Sequence, residues 1–414
     1  MPYNEIAGAA YRLATDGAVT RPKEWQVDLY KRLSDSTSEA GYLLIGPPGS
    51  GKLDSIVIPS LGMRRGGAPR RIFLIAKAGS PLDDFVYRFV PQLRNWAASD
   101  GTDRTMYIDG DDTESGSRFY SDGREETGFA VNPLEADVDL VLAPFDRFHN
   151  LFFGGGGVHG LPSALASPSS PILRRDLFLF NDAHEYTEDG FSRFHKLVEF
   201  LFAQDFDVIV MASSMPAAWR EELSFLESYD IEPSETETAP VRLLSFTPQE
   251  SAKSAFLTAA RKPHSSGQRL IGVFESVAEA VNAHKDAVGE TGPNVQLYHE
   301  DIPASERRAI YHSLRTYEKE RQGYTLVTTA AALEASDLDA STMITGFCPP
   351  ESLLLRAGRL NRRAQLPSSL LRICGEKLPH QTRAMNPTQR EGFKVALAAA
   401  DGRPFVAEDW LPYI

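Results

Sequence analysis

The sequence predicts two successive α/β domains, each built on a parallel sheet. Three observations carry that expectation. Short apolar runs alternate with amphipathic stretches of helical length. The alternation breaks once, at the polar stretch Tyr229 to Pro240 (YDIEPSETETAP). A chain of 414 residues has room for two domains of roughly 200 residues each. In chain order the first set of strand candidates is Tyr42 to Gly46, Arg71 to Ala76, Val138 to Ala143, Leu177 to Phe180 and Asp207 to Ala212. The second is Val241 to Phe246, Arg269 to Phe274, Val295 to Tyr298, Tyr324 to Thr329 and Met343 to Gly346. The expected domains are therefore residues 1–240 and 241–414. Ala98 to Glu135, rich in Asp, Glu, Ser, Gly and Thr, holds too little apolar surface to fold alone and is expected as an exposed acidic insertion. Gly154 to Gly157 with Leu161 to Pro171 is expected as a second loop.

Lysine and arginine total 43 against 56 acids, a net charge of −13. That balance excludes a general basic coat for gripping nucleic acid, so any such groove has to be local. With 42% hydrophobic and 24% charged residues, global disorder is excluded as well. Two cysteines, Cys348 and Cys374, are too few for a disulfide framework or a zinc site and fit a reducing compartment. Met1 to Leu13 contains Asn4 and Glu5 where a signal peptide needs basic and then apolar residues. No window approaches about 18 uninterrupted apolar residues. The expectation is a cytoplasmic protein without membrane contact.

Gly46 to Lys52 reads GPPGSGK, between the apolar run YLLI and a helical stretch beginning near Leu53, which is the setting of a phosphate loop. Glycines let backbone amides point at a phosphate, a helix N-terminus adds positive potential, and Lys52 supplies a point charge. Gly46, Gly49, Ser50, Gly51 and Lys52 are thus candidate nucleotide-binding residues. The next position should offer a Ser or Thr hydroxyl to magnesium, and here it is Leu53. Ser55, two residues further on, points elsewhere at helical spacing. Asp176 to Tyr186 (DLFLFNDAHEY) is an apolar strand ending in polar residues, at the edge where open α/β sheets hold ligands; read alone, it also suits an ordinary capped strand end. Pro350 to Ala364 (PESLLLRAGRLNRRA) gathers Arg356, Arg359, Arg362 and Arg363, which read alone would suit a solvated basic helix face.

Taken together, these blocks resemble a known family. Arg356, Gly358, Arg359, Arg362 and Arg363 are similar to the QRxGRxxR motif of superfamily 2 helicases, with Leu355 replacing the glutamine. Asn181, Asp182, Ala183 and His184 occupy the four positions of a DEAH box. Over nearly the whole chain, the order and spacing look like the helicase part of the CRISPR type I interference helicase-nuclease. Arg21 to Gln26 (RPKEWQ) resembles its adenine-reading Q motif, Ile72 to Arg88 motif Ia, and Met211 to Pro216 (MASSMP) the SAT motif. Gly272 to Ala280 resembles motif IV; Tyr298, His299 and Arg307 its H…R block; Val327 to Ala340 motif V.

The resemblance implies two tandem RecA-like parallel-sheet domains of a superfamily 2 helicase core, with ATP bound in a cleft between them. It places Gln26 on the adenine, Asp339 among the nucleotide contacts, and Arg359 and Arg362 on the γ-phosphate. Asp182 would be the residual magnesium ligand and catalytic acid. Lys77, Ser276, Thr328 and Thr329 would contact a nucleic-acid backbone.

The departures form a pattern. Leu53, Asn181 and Asp182 all fall on the magnesium and attacking-water side, whereas Lys52 and the arginines remain. A positioned general base is worth roughly 10²- to 10⁴-fold and the metal several kcal/mol, so binding without efficient turnover is expected. None of the nine histidines is followed by aspartate, so the His-Asp pair of the family's nuclease is missing from this sequence. Ala143 with Pro144, and Ala78 with Gly79, replace polar strand-contacting positions. The reading is a degenerate CRISPR-associated helicase-like protein binding nucleotide or nucleic acid within an antiviral complex, alongside a CRISPR effector complex or a separate nuclease subunit. The alternative is an active ATP-dependent translocase on single-stranded DNA that recruits a nuclease, its magnesium held by Asp182 and water. An unrelated P-loop ATPase is disfavoured by the paired domains and the arginine block.

Overall fold

The computed structural model describes residues 8, 12, 22–34, 41–46, 51–53, 64–65, 68–69, 71–76, 82–109, 116–129, 132–153, 176–183, 186, 188–213, 215–231, 241–261, 267–292, 294–334, 336–362, 366–376, 387–406, 409–410 and 413. The chain forms two compact units, Met1–Ser234 and Glu235–Ile414.

The first unit runs α1 (Glu24–Ser34), β1 (Gly41–Ile45), β2 (Arg64–Arg65), β3 (Ala68–Pro69), β4 (Ile72–Ala76), α2 (Asp83–Asp100), β5 (Thr105–Ile108), β6 (Gly116–Tyr120) and β7 (Glu125–Phe129). It continues with β8 (Leu140–Pro144), α3 (Phe145–Phe153), β9 (Leu177–Phe180), α4 (Glu188–Ala203), β10 (Asp207–Ala212), α5 (Ala217–Glu222) and β11 (Glu227–Asp230). Nine strands make one sheet in the order β11-β1-β10-β9-β4-β8-β5-β6-β7. From β11 to β5 all pairings are parallel. Strands β4, β8, β9 and β10 are buried at every position, because apolar layers cover both faces and leave no reason for polar alternation. One layer is aromatic, with Phe73 stacked on Phe178 at 4.9 Å and Phe148 and Phe194 alongside. The other contains Leu44, Leu74, Phe89 and Leu93.

The expected exposed insertion at Ala98 to Glu135 is corrected by the structure. Strand β5 pairs parallel with β8, and β6 and β7 extend the sheet as an antiparallel hairpin. Met106, Tyr107, Ile108 and Phe119 are buried. An edge hairpin needs apolar residues on one face only, and its outer strand carries charge that discourages further pairing. Its composition therefore resembles a loop, while Phe119 on β6 reaches the core. Gly123, at φ 91°, closes its turn in the left-handed region. The second expected loop, 154–157 and 161–171, lies outside the described residues.

The second unit runs β12 (Arg242–Thr247), α6 (Ala252–Ala260), β13 (Arg269–Phe274), α7 (Val277–Thr291), β14 (Val295–Tyr298) and α8 (Ala304–Lys319), then β15 (Tyr324–Thr329), α9 (Ala330–Glu334), β16 (Thr342–Gly346), α10 (Pro350–Ala357), β17 (Ser369–Cys374) and α11 (Pro387–Ala400). Its six strands are all parallel, in the order β12-β17-β16-β13-β15-β14. The chain after α11 returns along β12: Leu244 N–H donates to Arg403 O and Gly402 N–H to Leu244 O, which covers an open edge. Every expected strand is present. Strands β2, β3, β5, β6, β7, β11 and β17 are additions that the apolar-run criterion passed over. Among the described residues no helix is long and apolar enough to cross a membrane.

The hairpin correction predicts that Phe119→Ala lowers the stability of the first unit by about 3 kcal/mol. A residue in a solvated loop would change it by no more than about 0.5 kcal/mol. Urea unfolding followed by a probe in that unit distinguishes the two.

Candidate functional site

Strand β1 delivers the chain into the phosphate loop. Gly46 is buried, and its N–H donates to Ala212 O at 3.1 Å. Gly51 adopts φ 85°, the left-handed region in which glycine carries no steric penalty. The Lys52 ammonium donates to Gly46 O at 2.5 Å, so the lysine folds back over the loop's first residue. Gly49, Ser50 and Lys77 lie outside the described residues. Leu53, in the magnesium-ligand position, packs with Trp25 and Tyr30 against the core on the α1 side. Its side chain fills apolar space, and no hydroxyl is available there.

Strand β10 lies between β1 and β9, so the end of β9 comes out one strand away from the phosphate loop. Asn181 N–H donates to Ile75 O at 3.0 Å, extending the ladder. Its side-chain amide donates to Asp182 Oδ2 at 2.5 Å. Asp182 sits at φ 54°, a left-handed conformation that Asp tolerates better than most residues. Two acids here would repel each other unless a cation lay between them. Asn181 instead donates one hydrogen bond to the carboxylate where a second acid would repel it. Magnesium does not fit this donor set: one expected ligand position is leucine and another is an amide. Among the described residues no group of three or more His, Cys, Asp or Glu is placed to hold a metal ion.

Gln26, the expected adenine reader, is buried, and its Oε1 accepts from Lys23 N–H at 2.8 Å. That bond caps the start of α1 from its third position, as in a capping box. The side-chain oxygen is thus already engaged in holding the helix.

In the second unit the arginine block is tied down internally. Arg356 is 1% exposed, pairs with Glu275 at 2.9 Å and donates to Thr345 Oγ1 at 2.5 Å. Arg362 pairs with Asp337 at 2.5 Å. Arg359 differs: it donates to the Glu334 carbonyl at 2.7 Å, and its Nε is buried without a partner. Asp339 is fully buried, accepting from Arg269 at 3.2 Å and from Arg362 N–H at 2.9 Å. Its own N–H donates to Glu318 at 2.7 Å, and Glu318 also accepts from the Tyr324 hydroxyl at 2.8 Å. Burial and the neighbouring Glu318 push that hydroxyl's pKa well above its ordinary range, which keeps it a donor. The reading of the arginine block as a solvated basic face does not hold. Sequence reasoning also missed the acids that hold it, Glu275, Glu318 and Asp337; the run EASDLD beside the motif was the available signal.

Of the expected nucleic-acid contacts, Ser276 caps α7 by accepting from Glu279 N–H at 3.3 Å. Thr328 is fully buried. Thr329 is 1% exposed, donates to Glu300 at 2.5 Å and accepts from Ala332 N–H at the start of α9. Ser276 thus caps a helix, Thr329 links the end of β15 to Glu300 beyond β14, and Thr328 is shut off from solvent.

The comparisons with known proteins agree with this architecture. Residues 266–365 match the family described as CRISPR-associated nuclease/helicase Cas3, C-terminal. S. cerevisiae Dbp5 bound to RNA and ADP BeF3 shares 13% identity, with 99% of this chain and 96% of that one covered and a TM-score of 0.62. The DUF1998 helicase MrfA bound to DNA and AMPPNP shares 13%, with 98% and 54% covered and a TM-score of 0.63. T. fusca Cas3-ATP shares 16%, with 99% and 54% covered and a TM-score of 0.62. This chain thus spans about half the length of the MrfA and Cas3 chains. No curated protein matches it in sequence. The class is therefore α/β with RecA-like helicase domains. Within that fold, the stretch similar to the Cas3 C-terminal family is residues 266–365, about a quarter of the chain.

His299, expected in the H…R block, gives a test of this placement. Its Nδ1 is buried without a partner, and burial pushes the imidazole pKa below its ordinary 6.5, against the opposite pull of Glu300 and Asp301. The unfolded chain therefore binds that proton more tightly. Stability from this group is present above about pH 6.5 and is lost as pH falls below it. Unfolding measured from about pH 8 to pH 5 should show that slope in the second unit, and His299→Phe should flatten it. An unchanged slope would assign it to other groups.

Proposed function

We propose that this chain is a degenerate CRISPR-associated helicase-like protein that binds nucleotide, with weak or absent hydrolysis, and acts within an antiviral defence complex. The observation that carries this reading is the Asn181 to Asp182 hydrogen bond at 2.5 Å. It engages one oxygen of the Asp182 carboxylate with an amide, at the strand end where a hydrolytic site would carry a second acid. Leu53, partly buried against the core after the loop, supports it from the position where a hydroxyl would be needed. What remains is the phosphate-binding half: the glycine-rich loop, the Lys52 ammonium and the start of a helix. The Cas3 structures solved with ATP or AMPPNP support ATP as the ligand. A CRISPR effector complex or a separate nuclease subunit is the partner class that the Cas3-like match suggests, with single-stranded DNA as the nucleic acid. The sequence has no His-Asp pair for cutting it.

ATP turnover with magnesium, with and without single-stranded DNA, tests this directly. Undetectable or very slow turnover is expected; a rate on the order of 1 per second or faster would favour the motor. The triple variant Leu53→Thr, Asn181→Asp, Asp182→Glu should gain ATPase activity, with little gain in any single variant, because such groups act as a unit. A folded but inert triple variant would place the defect elsewhere.

Binding itself has a separate signature. Millimolar ATP should raise the melting temperature by mass action. The rise should be nearly equal in EDTA and in magnesium, and Lys52→Ala should remove it. A rise that needs magnesium would show Asp182 still organising a metal.

A further inference from the structure

Strand β11 is an exposed edge strand: Glu227, Ser228 and Asp230 face solvent, and Tyr229 is half-buried. Its ends are tied by two ion pairs, Arg32 with Glu227 and Arg220 with Asp230. Exposed pairs of this kind contribute little stability. The residue that follows differs in kind. Ile231 is 5% exposed, and its N–H donates to Ile45 O at 2.6 Å, carrying the parallel ladder one residue past the strand.

Ile231 lies directly against the first residue of the phosphate loop. A β-carbon built on Gly46 would meet Ile231 Cβ at 2.7 Å and Ile231 O at 3.2 Å. No real side chain fits there, so the Gly46 backbone rests on the isoleucine. From the other side Gly46 N–H is held by Ala212 O, and Gly46 O accepts the Lys52 ammonium. The three residues form a column: Ile231 supports Gly46, and the Gly46 carbonyl holds Lys52. The chain then passes from Ile231 to the unit boundary at Ser234.

We propose that Ile231 is a positioning residue for the phosphate loop, fixing Gly46 and through it the Lys52 ammonium. Strand β11 and the residue that follows it thereby become part of the support of Gly46 and Lys52. Only the consequence for ligand affinity rests on the nucleotide reading above; the positioning itself does not.

Two measurements separate these. In the ligand-free full chain, Ile231→Ala should speed amide hydrogen exchange in the peptide covering residues 46–52 by at least about tenfold, with the peptide covering β4 unchanged. Ile231→Val, which keeps the branch at Cβ, should behave as wild type. Wild-type exchange at 46–52 in Ile231→Ala, or an equal rise in β4, would overturn the proposal, the latter by showing general destabilisation. With a fluorescent ATP analogue, Ile231→Ala should bind about tenfold more weakly and Ile231→Val normally. Gly46→Ala should abolish binding, and adding Ile231→Gly should restore part of it. Unchanged affinity in a chain whose exchange has risen would overturn the link to Lys52. If wild type also fails to bind the analogue while the exchange pattern is as expected, the nucleotide reading falls and the positioning role stands.

Discussion

Parallel strands cannot be joined by a tight turn, and both units are organised by that constraint. Each such strand leaves the sheet at one edge, crosses over a face and re-enters at the other. Residues following β1, β9 and β10 therefore gather at a single edge of the first sheet, although they are far apart in sequence. In the second sheet the register sets Phe274 beside Thr329 and Tyr298 beside Thr328, so Glu275, His299 and Ala330 emerge together. The chemistry-bearing segments lie where topology delivers them, which is why the same edge serves ligands across open α/β folds. The apolar strands make this possible by paying for nothing but burial, leaving the polar residues to the loops.

The second unit shows how much charge can be absorbed by structure. Arg269 and Asp339 form a pair with side chains 3% and 0% exposed, whereas Arg356 is 1% exposed and its partner Glu275 25%. Removing one partner from such a pair typically costs about 3–5 kcal/mol, since the other charge is left buried and uncompensated. Loss of Arg356 or Asp339 would therefore act on folding before it acted on any ligand. Arg359 stands apart because its single bond goes to a neutral carbonyl. A motif read as a row of equivalent arginines thus divides into residues that build the unit and one that keeps donor capacity.

Much of the fold was legible because fully buried parallel strands must be continuously apolar, as IFLIA, LVLAP and LFLF are. The hairpin β6–β7 was not, since an edge needs only half its residues apolar, and Phe119 alone carries little signal. At the site, spacing identified which loop holds Gly46 and Lys52 but not what each side chain touches. Ser276, Thr328 and Thr329 have the residue types of backbone contacts, and the same hydroxyls serve equally as caps and buried links. Ile231 gave no signal at all: it looks like any isoleucine near a linker, and its relation to Gly46 exists only once β11 pairs with β1.

The substitutions at Leu53 and Asn181 are best understood as mutually consistent. A magnesium ion in such a site is held jointly, by a hydroxyl at the loop and a carboxylate at the strand end. Once the hydroxyl position becomes leucine, an acid at 181 beside Asp182 would be an uncompensated like-charge pair. An amide at 181 removes the repulsion and adds a hydrogen bond, so the second change offsets the strain left by the first. Leu53 in turn adds apolar surface against the core that a threonine would supply less of. Each change makes reversal of the other unfavourable. At the described positions the Asn181 to Asp182 bond stands at one strand end and the Lys52 to Gly46 bond at another, so the two sets of contacts are separate.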